Sequence, residues 1–223
     1  MNSFAINLIW QSLPLFLKGV LVTAKLFVVA SMLSLLVGFV LGVFSSKRIQ
    51  KPIFVQMINS ITFISRAVPF FVQLLIVYFV FPEILPINFT PFAASVIALG
   101  FCSSGYVAQF IRGAIDSIDP AQWEVAQTLG YSQWQIVMRI IFPQALRIAL
   151  PSLNNELESL LKSTAIASSI GMLELTRIGM NIVSREMEPA AVYLAIALFY
   201  IALSIVLKKI SQQLERRFCN VVY

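Results

Sequence analysis

Three long stretches of this chain are mostly apolar and free of charge, and two further stretches are apolar but broken by charged side chains. A helix needs about 20 apolar residues to cross the roughly 30 Å hydrocarbon core of a bilayer. Leu26–Phe44 reaches that length with no charge inside it; Lys25 precedes it, and Lys47, Arg48 and Lys51 follow. The mixed segment before it, Leu8–Lys25, reads as an interfacial helix leading into the span. Ile53–Phe81 is interrupted by Arg66 and Pro69, and the prolines of PEILPINFTP (82–91) are expected to stop it. Phe92–Ile111 and Ala190–Leu207 complete the pattern, the latter closed by Lys208 and Lys209.

Ile148–Leu173 is the difficult stretch, because it carries Asn154, Asn155, Glu156, Glu158 and Lys162. Charge parity decides for it, since cytoplasmic loops are enriched in Lys and Arg. With Lys47, Arg48 and Lys51 inside, four later spans return Lys208, Lys209, Arg216 and Arg217 to the same side; three would not. Arg112, Arg139 and Arg147 then also lie inside, Lys18, Lys25, Arg177 and Arg185 outside, and Arg66 and Lys162 within spans. The expectation is an all-α membrane protein with five transmembrane helices (20–45, 53–81, 92–112, 148–173 and 190–208). Its N-terminus is outside, its C-terminus is cytoplasmic, and residues 1–223 form a single transmembrane domain. Five helices are few to enclose a solute path, which points to a dimer.

Composition supports a membrane protein. The 223 residues are 59% hydrophobic and 12% charged, against roughly 25% charged in soluble domains. The net charge of +6 reads as positive-inside bias, not as a nucleic-acid surface. The absence of histidine excludes imidazole catalysis and imidazole metal ligands. Cys102 and Cys219 have neither zinc nor disulfide-framework spacing and read as free thiols. The start MNSFAINLIWQSLPLF lacks the basic region and cleavage site of a signal peptide. There is no GxxxxGK[ST] loop and no nucleophile–base or metal constellation. No catalytic, cofactor-binding or metal residues are expected.

The polar segment 119–143 carries the most specific signal. Asp119-Pro120 is a good helix start, Asp as cap and Pro at the first helical position. Glu124 near that start suits the helix dipole. Gly130 suits a left-handed C-terminal residue, Ser132 can cap a second short helix through Trp134 to Phe142, and Pro143 is expected to stop it. Two readings follow from this chemistry. One is a helix–turn–helix that enters a partner's groove; the other is an interfacial pair anchored by Trp123 and Trp134.

Glu124, Ala126, Gly130, Ile140 and Pro143 stand at the spacing of the EAA loop of permease subunits of ATP-binding-cassette importers, and the segment resembles it. Val125 and Phe142 depart from the pattern, each replacing one apolar residue by another. Three further stretches are similar to the polar amino-acid branch (histidine, glutamine, arginine, opine). The first is FISRAVPFFVQLLIVYFVFP (63–82), with Ala67 where Gly is usual. The others are YVAQFIRGAIDSIDPAQWEVA (106–126), with Pro120 where Gly is common, and PQALRIALPSLNNELESLLKSTAIASSIG (143–171), with Ser163 in place of Asp. The resemblance implies the type I ABC importer permease fold in a bacterial inner membrane. It also implies a docking loop that meets a separate ATPase holding ATP and magnesium, a second permease subunit and an extracytoplasmic amino-acid-binding protein.

Candidate pathway residues are the ionisable groups inside spans, which are costly there. At about 100° per residue, and with Asn154 at zero, Glu158, Lys162, Asn155 and Ser159 fall on one arc, with Glu156 beyond it. That face must line the bundle interior, a subunit interface or a wet cavity. Glu158 and Lys162 are spaced for an ion pair. Glu156 and Asn155 suit an ammonium or polar cargo group. Arg66 suits a substrate carboxylate, or else pairs with Glu156 or with loose backbone carbonyls. Gly38 and Gly42 permit close helix approach, within the bundle or at a dimer seam. The leading reading is an importer's membrane subunit; the rival is a self-sufficient secondary transporter or channel using the polar face.

Overall fold

A computed structural model describes residues 3–46, 49 and 52–219. Lys47, Arg48 and Lys51, which anchor the topology expectation, lie outside the described residues. Eight helical segments follow one another. They are α1 (Ser3–Phe44), α2 (Pro52–Ala67), α3 (Phe70–Ile84), α4 (Pro91–Asp116), α5 (Pro120–Thr128), α6 (Gln133–Ile170), α7 (Leu175–Glu186) and α8 (Pro189–Cys219). Among the described residues, α1, α4, α6 and α8 are each long and apolar enough to cross a membrane. The α2–α3 pair passes that test only as a broken unit, so there are four spans, or five if the pair is one.

The segment Leu8–Lys25 and the first span form one helix, α1, continuous over 42 residues despite Pro14, about 63 Å at 1.5 Å per residue. The second stretch is broken at Pro69, as its sequence suggests. Val68 N closes α2 on Ile64 O at 3.3 Å, and Gln73 N opens α3 on Pro69 O at 3.1 Å.

The second stretch does end within PEILPINFTP, at Ile84, but Pro82 itself does not stop it, and Pro143 does not stop the helix that contains it. A π-helical turn precedes each, Ile76–Val80 and Val137–Ile141, with Phe81 N reaching Ile76 O and Phe142 N reaching Val137 O. A proline in an α-helix drives its ring into the carbonyl four residues back. The wider π turn, which holds an extra residue, moves that carbonyl aside and lets the helix continue. The second short helix of the polar segment therefore runs directly into the fourth span. That span ends earlier than expected, in a 3₁₀ stretch Thr164–Ile170 closed by Gly171 at φ 81°.

Two compact units are present. One comprises 1–32, 69–100 and 158–209; the other comprises 33–68, 101–157 and 210–223. In the first, Leu8, Phe16, Leu175, Ile182, Val192 and Ile196 form one cluster, and Leu26, Ala30, Leu99, Leu160 and Met172 form another. In the second unit, α4 contributes Val107, Ile111 and Ile115 to a core shared with Trp123, Ala126, Ile136 and Ile141 of the polar segment. The segment is thus packed onto membrane-helix surface. Here α1 meets α4 closely: a Cβ on Gly38 would lie 2.5 Å from Val107, and one on Gly42 2.7 Å from Ile111. The Gly38/Gly42 pair therefore packs within the bundle.

Candidate functional site

The helix–turn–helix of segment 119–143 is built from local signals. Asp119 Oδ1 accepts from Ala121 N at 2.9 Å, with Pro120 in the first turn. The chain reverses at Gly130, φ 83°, where Gly130 N donates to Gln127 O and Tyr131 N to Ala126 O. Ser132 and Gln135 form a capping box: Ser132 N donates to Gln135 Oε1 at 2.9 Å, and Gln135 N donates back to Ser132 Oγ at 3.4 Å. Gln144 Nε2 then ties the two arms, donating to Gln122 Oε1 at 2.7 Å and to Ile140 O at 2.8 Å.

What this hairpin presents is an apolar groove of about 320 Å³ lined by Ala121, Gln122, Val125, Ala126, Leu129 and Ile140. Val125 and Leu129 stand on its edge, 59% and 71% exposed. Ala126 is buried and Ile140 half-buried, while Glu124, Gly130 and Pro143 are exposed. Trp123 is only 5% exposed and sits in the core, so it cannot serve as an interfacial anchor. Two of the five motif residues therefore form the groove, one makes the turn, and two lie on its surface.

The polar face of α6 does not act as one surface. Asn154 Nδ2 donates to Glu215 Oε1 at 2.6 Å. Glu156 is hydrogen-bonded by Ser103, whose hydroxyl receives that of Ser34 at 2.8 Å. Asn155 is exposed. The Glu158–Lys162 ion pair is not formed: among the described residues the one ion pair joins Arg185 and Glu186 at 2.6 Å. Both residues instead line a cavity of about 380 Å³ with Tyr200, Ile201, Ser204, Ile205 and Lys208. Tyr200, Ser204 and Lys208 of α8 border the same cavity, which spacing along α6 alone cannot reveal.

Arg66 also departs from a carboxylate pairing. Its Nε donates to Thr62 O at 3.0 Å, Nη1 donates to Gln109 Oε1, and the guanidinium lies 5.9 Å from the Tyr106 ring centroid. Nearby, Arg112 Nη1 donates to Asn59 Oδ1 at 2.7 Å.

Sequence reasoning passed over Glu174. It is fully buried and caps α7, accepting from Thr176 N at 2.9 Å and Arg177 N at 2.7 Å. Tyr200 Oη donates to it at 3.2 Å. Burial pushes its carboxyl above the ordinary range, and these hydrogen bonds offset part of that rise. An acidic residue directly before an amphipathic run is a readable cap signal; that Tyr200 would meet it is not.

The comparisons with known proteins agree with one another. A family model described as "Binding-protein-dependent transport system inner membrane component" matches residues 34–219. The chain is 34% identical to a probable amino-acid ABC transporter permease protein of Bacillus subtilis, over 98% of this chain and 96% of that protein. It is 32% identical to the glutamine transport system permease protein of Escherichia coli, over 94% and 95%. Among solved structures, a chain of an amino acid ABC transporter crystallised with histidines aligns with TM-score 0.84 and 32% identity, covering 94% of this chain and 96% of that one. A methionine ABC transporter chain aligns at TM-score 0.81 but 19% identity, covering 93% and 98%, and speaks for the fold alone.

Proposed function

The chain belongs to the family of binding-protein-dependent transport system inner membrane components, and from that membership we propose that it carries polar amino acids inward as one membrane half of an ATP-driven importer. It is a permease component and not the ATPase. In this reading the chain has five spans, the α2–α3 pair counted as one, with the N-terminus outside and the C-terminus cytoplasmic. ATP and magnesium belong to the partner ATPase, a second permease subunit completes the path, and an extracytoplasmic binding protein delivers the cargo.

The observation that carries the docking role is the apolar groove of Ala121, Val125, Ala126, Leu129 and Ile140 on a hairpin packed into the membrane-helix core. An exposed concave apolar surface on an ordered segment suits helix-in-groove or side-chain-in-groove recognition. Gly130 gives that surface its turn, and Glu124 is exposed on the same hairpin. Because α6 runs without a break from this hairpin through the π turn, a displacement of the docked segment is passed along the helix. Coupling then requires that the ATPase bind the two positions of the hairpin differently.

Amino acids as cargo rest on what the relatives at 32–34% identity are named for. Asn155 and Glu156 suit the cargo's ammonium or polar side chain, with Glu158 and Lys162 along the path on the α8 side. Arg66 remains the candidate for the carboxylate. The test is reconstitution into liposomes with the cognate ATPase and binding protein. Uptake of radiolabelled polar amino acids should require ATP and both partners. Uptake by this chain without an ATPase would overturn the reading.

A further inference from the structure

Glu174 is the only acid or base among the described residues that is fully buried, and no cation neutralises it. The site is crowded. From α7 itself come the amides of Thr176 and Arg177, and the Thr176 hydroxyl lies 3.2 Å from Tyr200 Oη. From α8 comes Tyr200, and from the 3₁₀ stretch Thr164, which hydrogen-bonds Tyr200. From α1 come Thr23, whose hydroxyl accepts from Leu175 N at 3.1 Å, and Gly19, where a Cβ would lie 2.8 Å from Leu175 Cα. Of these groups only Arg177 and Tyr200 are ionisable, and Arg177 Nη1 is turned toward Ser168 O at 3.5 Å. The first turn of α7 is therefore held from three sides around one carboxyl group.

Such a carboxyl group has two environments to choose between. With α7 seated it is dry and surrounded by dipoles. With the first turn of α7 lifted it meets water, where a carboxylate ionises in its ordinary range. Removing a charge from water is costly when no counter-charge replaces it. The seated form thus binds a proton more tightly than the lifted form. By linkage, acid favours the seated state and rising pH favours the lifted one. The neutral acid fits the seated geometry: Oε1 as the carbonyl oxygen accepts from Arg177 N, and a protonated Oε2 still accepts from Thr176 N while its O–H donates to Tyr200 Oη.

We propose that Glu174, with Tyr200 and Thr176, is a proton-operated clasp: proton uptake fastens the first turn of α7 to α1 and α8, and proton loss frees it. The clasp does not depend on which solute the chain moves, or on whether it moves one.

Hydrogen exchange on the full chain in lipid nanodiscs, from about pH 4.5 to about pH 9 and corrected for intrinsic rates, tests the proposal. In the wild type, protection of the Thr176 and Arg177 amides should fall several-fold as pH rises. Glu174→Gln, which keeps an acceptor oxygen for one of the two amides and cannot ionise, should remove the pH dependence of protection at both. Tyr200→Phe removes a donor that favours the anion, so the fall should persist with its midpoint at higher pH. A wild-type profile that is flat, or a fall that survives in Glu174→Gln, would overturn the clasp whatever the transport assays show.

Discussion

Asn154 Nδ2 and Glu215 Oε1 meet at 2.6 Å, tying the last turns of α8 to the polar stretch of α6. Asn154 is nearly buried and Glu215 half-buried, so removing the donor leaves a carboxylate partly unsatisfied. That costs about 1–3 kcal/mol. Asn154→Ala should lower the unfolding temperature of the detergent-solubilised protein more than Glu215→Gln, which keeps an acceptor oxygen. Equal melting of Asn154→Ala and wild type would show that the contact contributes nothing.

Two helix glycines should respond to added side chains in opposite senses. A Cβ on Gly42 would press on Ile111, whereas one on Gly113 meets nothing within 4 Å. Overpacking costs roughly 1–3 kcal/mol, while Ala in place of an unconstrained helix Gly gains roughly 0.5–1 kcal/mol. Gly42→Ala should therefore destabilise and Gly113→Ala stabilise in the same thermal assay. A Gly42→Ala variant that melts normally but loses its partner subunit on cross-linking would place Gly42 at the dimer seam instead.

Gly130 has φ 83° and open space around it, so any penalty on substitution comes from the backbone. Asn tolerates that conformation and valine does not, the left-handed region costing L-residues about 1–2 kcal/mol. Gly130→Asn should retain the ATPase on affinity purification, and Gly130→Val should release it. Equal retention by both would separate the turn from docking.

Glu156 is held by Ser103, itself bonded to Ser34. If it contacts cargo, Glu156→Gln should reduce uptake several-fold while ATPase co-purification stays intact. Ser103→Ala, which loosens the carboxylate without removing it, should give a smaller loss. Unchanged uptake in Glu156→Gln would leave that residue a packing role.

Period and caps made the helices and the hairpin legible. Asp119, Gly130 and Ser132 each act through neighbours within a few residues, and all three do what their chemistry suggests. Pro143 misled because the rule that proline ends a helix assumes α geometry, and Pro143, like Pro82, sits just after a π turn. The polar face misled for another reason. Angles around α6 group Glu158 and Lys162 correctly, but their surroundings come from Tyr200, Ser204 and Lys208, some forty residues later. Glu174 was missed because burial is a tertiary fact.

The two π turns have a consequence for how this chain can change. Each holds one residue more than an α turn, and one residue is about 100° of helix rotation. A single-codon deletion within Val137–Ile141 would therefore turn the π turn into an α turn and leave Asn154 through Lys162 facing nearly as before, whereas the same deletion in an α turn would swing them by about 100°. The bulge thus takes up one residue between the hairpin and the polar stretch of α6 without changing the direction in which that stretch faces. The loss of one residue, ruinous elsewhere in a transmembrane helix because it re-aims every side chain beyond it, is absorbed here.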